Sequence, residues 1–125
     1  ELLNIIFPST TLSKLLYAPQ SWWGFLNSQE KGRLEAYLKR ATRAGFYSNI
    51  KSFEELCSAA DIKLFNTIRV NANHLLADLL PPINYHNYST RRNVSGRNFE
   101  FPIKRLALTD KNFISRMILH DSSKL

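Results

Sequence analysis

A chain of 125 residues with 44% hydrophobic and 12% aromatic content is one domain, or a piece of a larger one, with enough apolar side chains for a packed core. Its net charge of +7 and pI near 9.8 point to a polyanionic partner, most often nucleic acid. The single cysteine, Cys57, excludes a disulfide framework and a multi-cysteine zinc site, and makes an intracellular, reducing setting (cytoplasm and nucleus) the expectation.

No membrane span is expected. The longest uncharged stretch, Leu15 to Gln29, contains Pro19, Gln20, Ser21 and Asn27. It falls short of the ~20 apolar residues a helix needs to cross a bilayer. Nothing basic precedes the first apolar run, so no secretion signal is read. The chain opens at Glu1 inside an amphipathic pattern and its one methionine is Met117, as expected of the tail of a longer reading frame. Residues 1–50 carry six basic and three acidic residues, 51–82 three and four, and 83–125 eight and three. The positive charge therefore sits at the two ends.

Leu12, Leu15, Leu16, Pro19, Trp22 and Trp23 recur with a helical period. Pro8 and Pro19 lack the amide hydrogen a helix interior uses, which predicts a break near each. The expectation is a helix from about Ser9 to Tyr17, then a kink or short loop carrying both tryptophans, which read as core or interdomain packing rather than as a base-stacking platform. Asn27 to Glu30 has the form of a capping box, and Gly45 suits a left-handed stop. The helix between them has Leu34, Tyr37, Leu38 and Ala41 on its apolar stripe. At about 100° per residue, Arg33, Arg40 and Arg43 share an arc of about 80° beside that stripe, with Lys39 a little further round. This arc is either a phosphate-binding surface or a solvated helix face.

Ser52 to Glu55 is a second capping box, and Ser58 to Asp61 resembles a third. They predict a short helix from Phe53 to Ser58, with Cys57 as a small core residue, and a long one from Ala59 to Leu79. The latter follows the repeat of Phe65, Ile68, Ala72, Leu75, Leu76 and Leu79, and Pro81-Pro82 closes it. Residues 83–104 have no sustained period and read as extended or irregular chain. There Tyr85, His86, Tyr88, Arg91, Arg92, Arg97 and Phe99 interleave rings with guanidinium groups. Rings stack on unpaired bases and arginines pair with phosphates, so the stretch is either a single-strand contact or a solvated basic loop. Thr109 or Asp110 is expected to cap a last helix, Lys111 to His120.

The fold class expected is mainly α: a small bundle of three to five helices, with an irregular basic C-terminal tail. The expected division is a helical domain over 1–82 and a basic extended tail with a short terminal helix over 83–125.

Catalytic patterns are missing from this sequence. The four glycines are scattered, so there is no phosphate loop. His74, His86 and His120 lack metal-ligand spacing. Asp61, Asp78, Asp110 and Asp121 are isolated, and Glu54-Glu55 belongs to a cap. No nucleophile–base set can be assembled, and no cofactor is expected in this chain. The sequons at Asn87 and Asn93, without a secretion signal, read as chance matches.

The order of several segments resembles the region after the palm in reverse transcriptases of non-LTR (LINE-type, jockey-like) retrotransposons. Leu12-Ser13-Lys14-Leu15-Leu16-Tyr17-Ala18 followed by Trp22-Trp23-Gly24-Phe25 is similar to the segment leading into the family's Arg-rich helix. Arg33-Leu34-Glu35 and Arg40-Ala41-x-Arg43-Ala44-Gly45 look like that helix. Asp61-x-x-Leu64-Phe65 and the run His74 to Pro81 resemble its next element. Tyr88-Ser89-Thr90-Arg91-Arg92 and Asn112-Phe113-Ile114-x-Arg116-Met117 resemble the family's tail. Two features depart from the pattern: Pro19 lies further from the tryptophans, and Thr90 stands where leucine is common.

The resemblance implies a thumb and C-terminal region of an RNA-directed DNA polymerase. Its implied partners are an RNA template, an RNA–DNA duplex and the palm of the same polypeptide. The catalytic aspartates, and the magnesium they bind, would belong to that palm. The residues implied to meet nucleic acid are Arg33, Lys39, Arg40, Arg43, Tyr85, Tyr88, Arg91, Arg92 and Arg97. The alternative is a free-standing helical protein-interaction module whose charge aids solubility. With no carboxylate set to hold two divalent ions, the purified chain is expected to incorporate no nucleotide and cleave no strand with magnesium or manganese. Template-dependent incorporation in a primer-extension assay would contradict this.

Overall fold

The computed structural model describes residues 2–48, 51–83, 99–100 and 107–123. The fold is mainly α, as the sequence implies, and no strand occurs among the described residues apart from a single antiparallel bridge between Ile83 and Phe99. Two compact units are present, Glu1–Lys63 and Leu64–Leu125. Composition divides the chain at residue 82 and compactness at residue 63; the two divisions read different properties.

The first unit begins with α1 (Leu2–Phe7), a π-helical turn (Pro8–Leu12) and α2 (Ser13–Leu15). The break expected at Pro8 does not occur. Proline leaves its own amide position empty and crowds the carbonyl one turn back. Here the helix widens instead: the amide of Ser13 bonds the carbonyl of Pro8, five residues earlier. Side-chain hydroxyls also bond the surrounding carbonyls. Ser9 Oγ donates to Ile5 O at 2.7 Å and Thr10 Oγ1 to Ile6 O at 2.6 Å. Ser13 Oγ donates to Ser9 O at 2.6 Å.

The break at Pro19 does occur. Ala18 adopts φ +45°, and Pro19 takes the first position of α3 (Pro19–Trp22), where a missing amide hydrogen matters least. The Trp22 indole N–H closes the turn on Tyr17 O at 3.2 Å. Gln20 Nε2 donates to Ala60 O at 3.1 Å, tying this turn to the later helix of the same unit. A 3₁₀ turn (Trp23–Phe25) follows.

Helix α4 (Ser28–Arg43) starts with the expected capping box: Glu30 N–H donates to Asn27 Oδ1 at 2.8 Å and Asn27 N–H to Glu30 Oε2 at 2.9 Å. It ends as expected too. Gly45 has φ +77°, and the amides of Gly45 and Phe46 bond Thr42 O and Ala41 O at 3.1 and 3.0 Å, the paired bonds of a Schellman motif.

Helix α5 (Phe53–Val70) corrects the expectation of two helices. Its Ser52–Glu55 box forms, with Glu55 N–H on Ser52 Oγ at 3.2 Å and Ser52 N–H on Glu55 Oε2 at 3.1 Å. The Ser58–Asp61 pattern starts nothing, because a helix already in progress uses those amides. The amide of Phe53 has a distant partner: Glu35 of α4 accepts its hydrogen at 2.8 Å. A carboxylate at a helix N-terminus also meets the positive end of the helix dipole.

Phe53, Cys57, Leu12, Trp23, Leu38, Ala41 and Tyr47 form the buried cluster of this unit. Cys57 is fully buried, as expected of a small core residue. Trp23 is buried and Trp22 half-buried; their rings lie 5.4 and 6.2 Å from Phe53. Lys31 Nζ sits 4.7 Å above the Trp23 ring. Leu2, Leu3, Ile5 and Ile6 of α1 are exposed.

The second unit contains the end of α5, where Phe65 and Ile68 are buried. The helix expected to reach Leu79 stops at Val70. Asn71 Oδ1 accepts the amide of Asn73 at 3.1 Å, a side-chain turn that competes with helix continuation. Leu75 and Leu79 consequently stand exposed at 93% and 62%, in turns and a short 3₁₀ element (Ala77–Leu79) rather than on a buried stripe. After a 3₁₀ turn (Thr109–Lys111), the last helix is α6 (Phe113–Ser123), displaced from the expected start at Lys111. Asn112, not Thr109 or Asp110, starts it, with Oδ1 on the Ile114 amide at 3.1 Å. Phe113, Met117 and Ile118 are buried.

Two substitutions test these local arguments by chemical denaturation. Gly45→Ala is expected to lower stability by about 1 kcal/mol through backbone strain alone, since an added Cβ meets nothing within 4 Å. Glu35→Ala is expected to cost about 1–2 kcal/mol by orphaning the Phe53 amide.

Candidate nucleic-acid interface

Helix α4 turns its stripe inward and its cations outward. Leu38 and Ala41 are buried and Leu34 half-buried, while Tyr37 lies near the edge at 37% exposure. Arg33, Lys39, Arg40 and Arg43 are all exposed. Among the described residues none of these four side chains makes an ion pair or hydrogen bond. Other cations are engaged. Lys31 lies over Trp23, Arg69 lies 5.8 Å from the Phe65 ring centroid, and Arg116 Nε donates to Lys111 O at 3.1 Å. Among the described residues, the α4 set therefore keeps its donors unshared.

The arc spans about 120° at 100° per residue, from Lys39 through Arg43 and Arg40 to Arg33, and neither Glu30 nor Glu35 falls inside it. Along the axis Arg33 and Arg43 are about 15 Å apart at 1.5 Å per residue. Arg40 and Arg43 also occupy the last turn, where positive charge complements the helix dipole. Cations spaced along a rod in this way are electrostatically complementary to a polyanion with repeating charges.

The same arc takes in three uncharged residues, Gln29, Gly32 and Ala36; the last two are small and charge pattern alone does not draw attention to them. Both are exposed. Gly32 has no positive φ, and a Cβ built on it meets nothing within 4 Å. The signal that marks it in sequence is its low helix propensity in mid-helix.

The tail candidates Tyr85, Tyr88, Arg91, Arg92 and Arg97 lie outside the described residues. Phe99, at the end of that stretch, is described, and it packs. Its backbone bridges Ile83, its ring lies 6.3 Å from Phe65, and Glu100 N–H bonds Pro82 O at 3.0 Å. Phe99 thus makes an edge-to-face contact with Phe65 and is half-buried.

Among the described residues no three His, Cys, Asp or Glu side chains are grouped to hold a metal ion. No helix of the described residues is long and apolar enough to cross a membrane. Comparison with protein-family models, with curated proteins and with solved structures gives no match.

Gly32→Ala is expected to raise stability by about 0.5–1 kcal/mol, because alanine is the better helix former and has room here. Thermal and urea denaturation check the sign. A loss of stability would mean that Gly32 has a packing role in the fold.

Proposed function

We propose that the chain is the thumb and C-terminal region of a non-LTR retrotransposon reverse transcriptase, holding template–primer nucleic acid by its phosphates and leaving catalysis to a palm elsewhere in the polypeptide. The observation that carries this reading is the outward face of α4: four exposed cations, without a side-chain partner among the described residues, on a helix whose other face is packed. A thumb needs such a helix and needs no nucleophile or metal ligand. The sequence resemblance supplies the family, and the charge of the whole chain agrees with a polyanionic partner.

The partners on this reading are an RNA template, an RNA–DNA duplex and the palm. The exposed apolar side chains of α1, Leu2, Leu3, Ile5 and Ile6, are the kind of surface a neighbouring domain covers. The same surface is what favours a helical protein-interaction module as the second reading.

Binding of an RNA–DNA hybrid and of single-stranded RNA, measured at several salt concentrations, separates the two. Affinity for the hybrid is expected to ignore base sequence and to fall with salt at a log–log slope of about −0.9 per neutralised phosphate, somewhat less for a hybrid than for B-DNA. Replacing Arg40 and Arg43 by glutamine is expected to weaken binding alike on all sequences and to flatten the slope by about 2. Replacing Arg91, Arg92 and Arg97 is expected to matter more for single-stranded RNA, on which Tyr85 and Tyr88 would stack. Weak binding indifferent to both sets would favour the interaction module.

A further inference from the structure

We infer that Tyr37 is a further binding residue of the α4 face, its hydroxyl donating a hydrogen bond to a phosphate oxygen of the strand that Arg33 and Arg40 hold. The inference rests on the reading of α4 as a phosphate-binding face and adds a neutral donor to its cations.

Helix spacing brings the three side chains together. Residues three and four apart are surface neighbours, with about 5–6 Å between Cβ atoms. Arg33 lies four residues before Tyr37 and Arg40 three after it. Long helical side chains lean toward the preceding turn, which carries Arg40 toward Tyr37 and Tyr37 toward Arg33. The other neighbours at these spacings, Leu34 and Ala41, belong to the apolar stripe, and neither is a carboxylate that would compete with a phosphate.

The ring is held from within the same unit. Phe7 stacks on Tyr37, with ring centroids 6.2 Å apart and planes inclined by 29°. Phe7 in turn meets the ring of the buried Tyr47 at 5.8 Å. Tyr37 itself stays 37% exposed. Packing of this kind asks for a ring and not for a hydroxyl. Among the described residues the hydroxyl makes no hydrogen bond. Trp22 differs, since its indole N–H closes a turn on Tyr17 O. A tyrosine at the rim of an apolar stripe keeps its body dry and its tip wet. With the ring already fixed, little side-chain freedom is lost when the tip takes a ligand. Tyrosine hydroxyls are among the ordinary donors to phosphate oxygens, and two guanidinium groups beside this one supply the charge that draws a phosphate there.

The test removes one oxygen and no charge. Tyr37→Phe in the full chain is expected to melt with the wild type and to bind the RNA–DNA hybrid about tenfold more weakly, the scale of one hydrogen bond to a charged group. Its log–log salt slope is expected to equal the wild-type slope, because a neutral hydroxyl displaces no counterion. Arg40→Gln, by contrast, is expected to flatten the slope by about 1. Hybrid binding by Tyr37→Phe equal to wild type overturns the hydroxyl contact, and it leaves the phosphate-binding reading intact where Arg40→Gln still weakens binding. A flattened slope in Tyr37→Phe overturns the contact as well, since the substitution would then act through the arginines. Wild-type binding that is absent, or indifferent to Arg40, overturns the reading and this inference together.

Discussion

Phe53 is fastened twice, and the first unit depends on both attachments. Its amide, at the start of α5, donates to Glu35 of α4. Its ring, 1% exposed, meets both tryptophans. One residue therefore joins α4, α5 and the turn built on Pro19. The polar bond sets direction and the rings supply burial. A phenylalanine buried this completely is worth about 3–5 kcal/mol against alanine, a large share of the margin by which a small unit folds. The outward face of α4 inherits its orientation from this point, because the carboxylate of Glu35 and the cations are carried by the same helix.

What could be read from the sequence was local. The boxes at Asn27 and Ser52 and the left-handed stop at Gly45 each involve residues three to five apart, and each forms as its chemistry dictates. Sequence pattern and structure part where two local rules compete. Serine 58 and Asp61 match a helix start, but a start has meaning only where no helix yet exists. The stripe from Ala72 to Leu79 keeps its helical spacing, yet Asn71 offers its own carbonyl to the backbone first. Periodicity records what a helix would bury if it formed; it does not record whether the backbone has a nearer alternative. The Glu35–Phe53 bond, across 18 positions, has no sequence signature at all.

The candidate interface divides in the same way. The positions of Arg33, Lys39, Arg40 and Arg43 on one arc follow from helix geometry, and the structure places all four in solvent. Their lack of protein partners among the described residues required coordinates, since Lys31, Arg69 and Arg116 look no different in sequence and are engaged. Phe99 shows the converse. Among basic and aromatic neighbours it has the look of a stacking residue, and its ring is turned to Phe65.

The widened turn at Pro8 acts as a phase shift. In an unbroken α-helix Ile5, seven residues before Leu12, would lie on the same side as Leu12. With the extra residue in the turn, Phe7 takes that place: it packs against the cluster containing Leu12, while Ile5 stands 67% exposed. The segment thus carries two apolar faces offset from one another, one used inside the unit and one left over. Which face is which depends on a single residue of chain length between Phe7 and Leu12. At this turn, length rather than composition decides what the protein hides and what it shows.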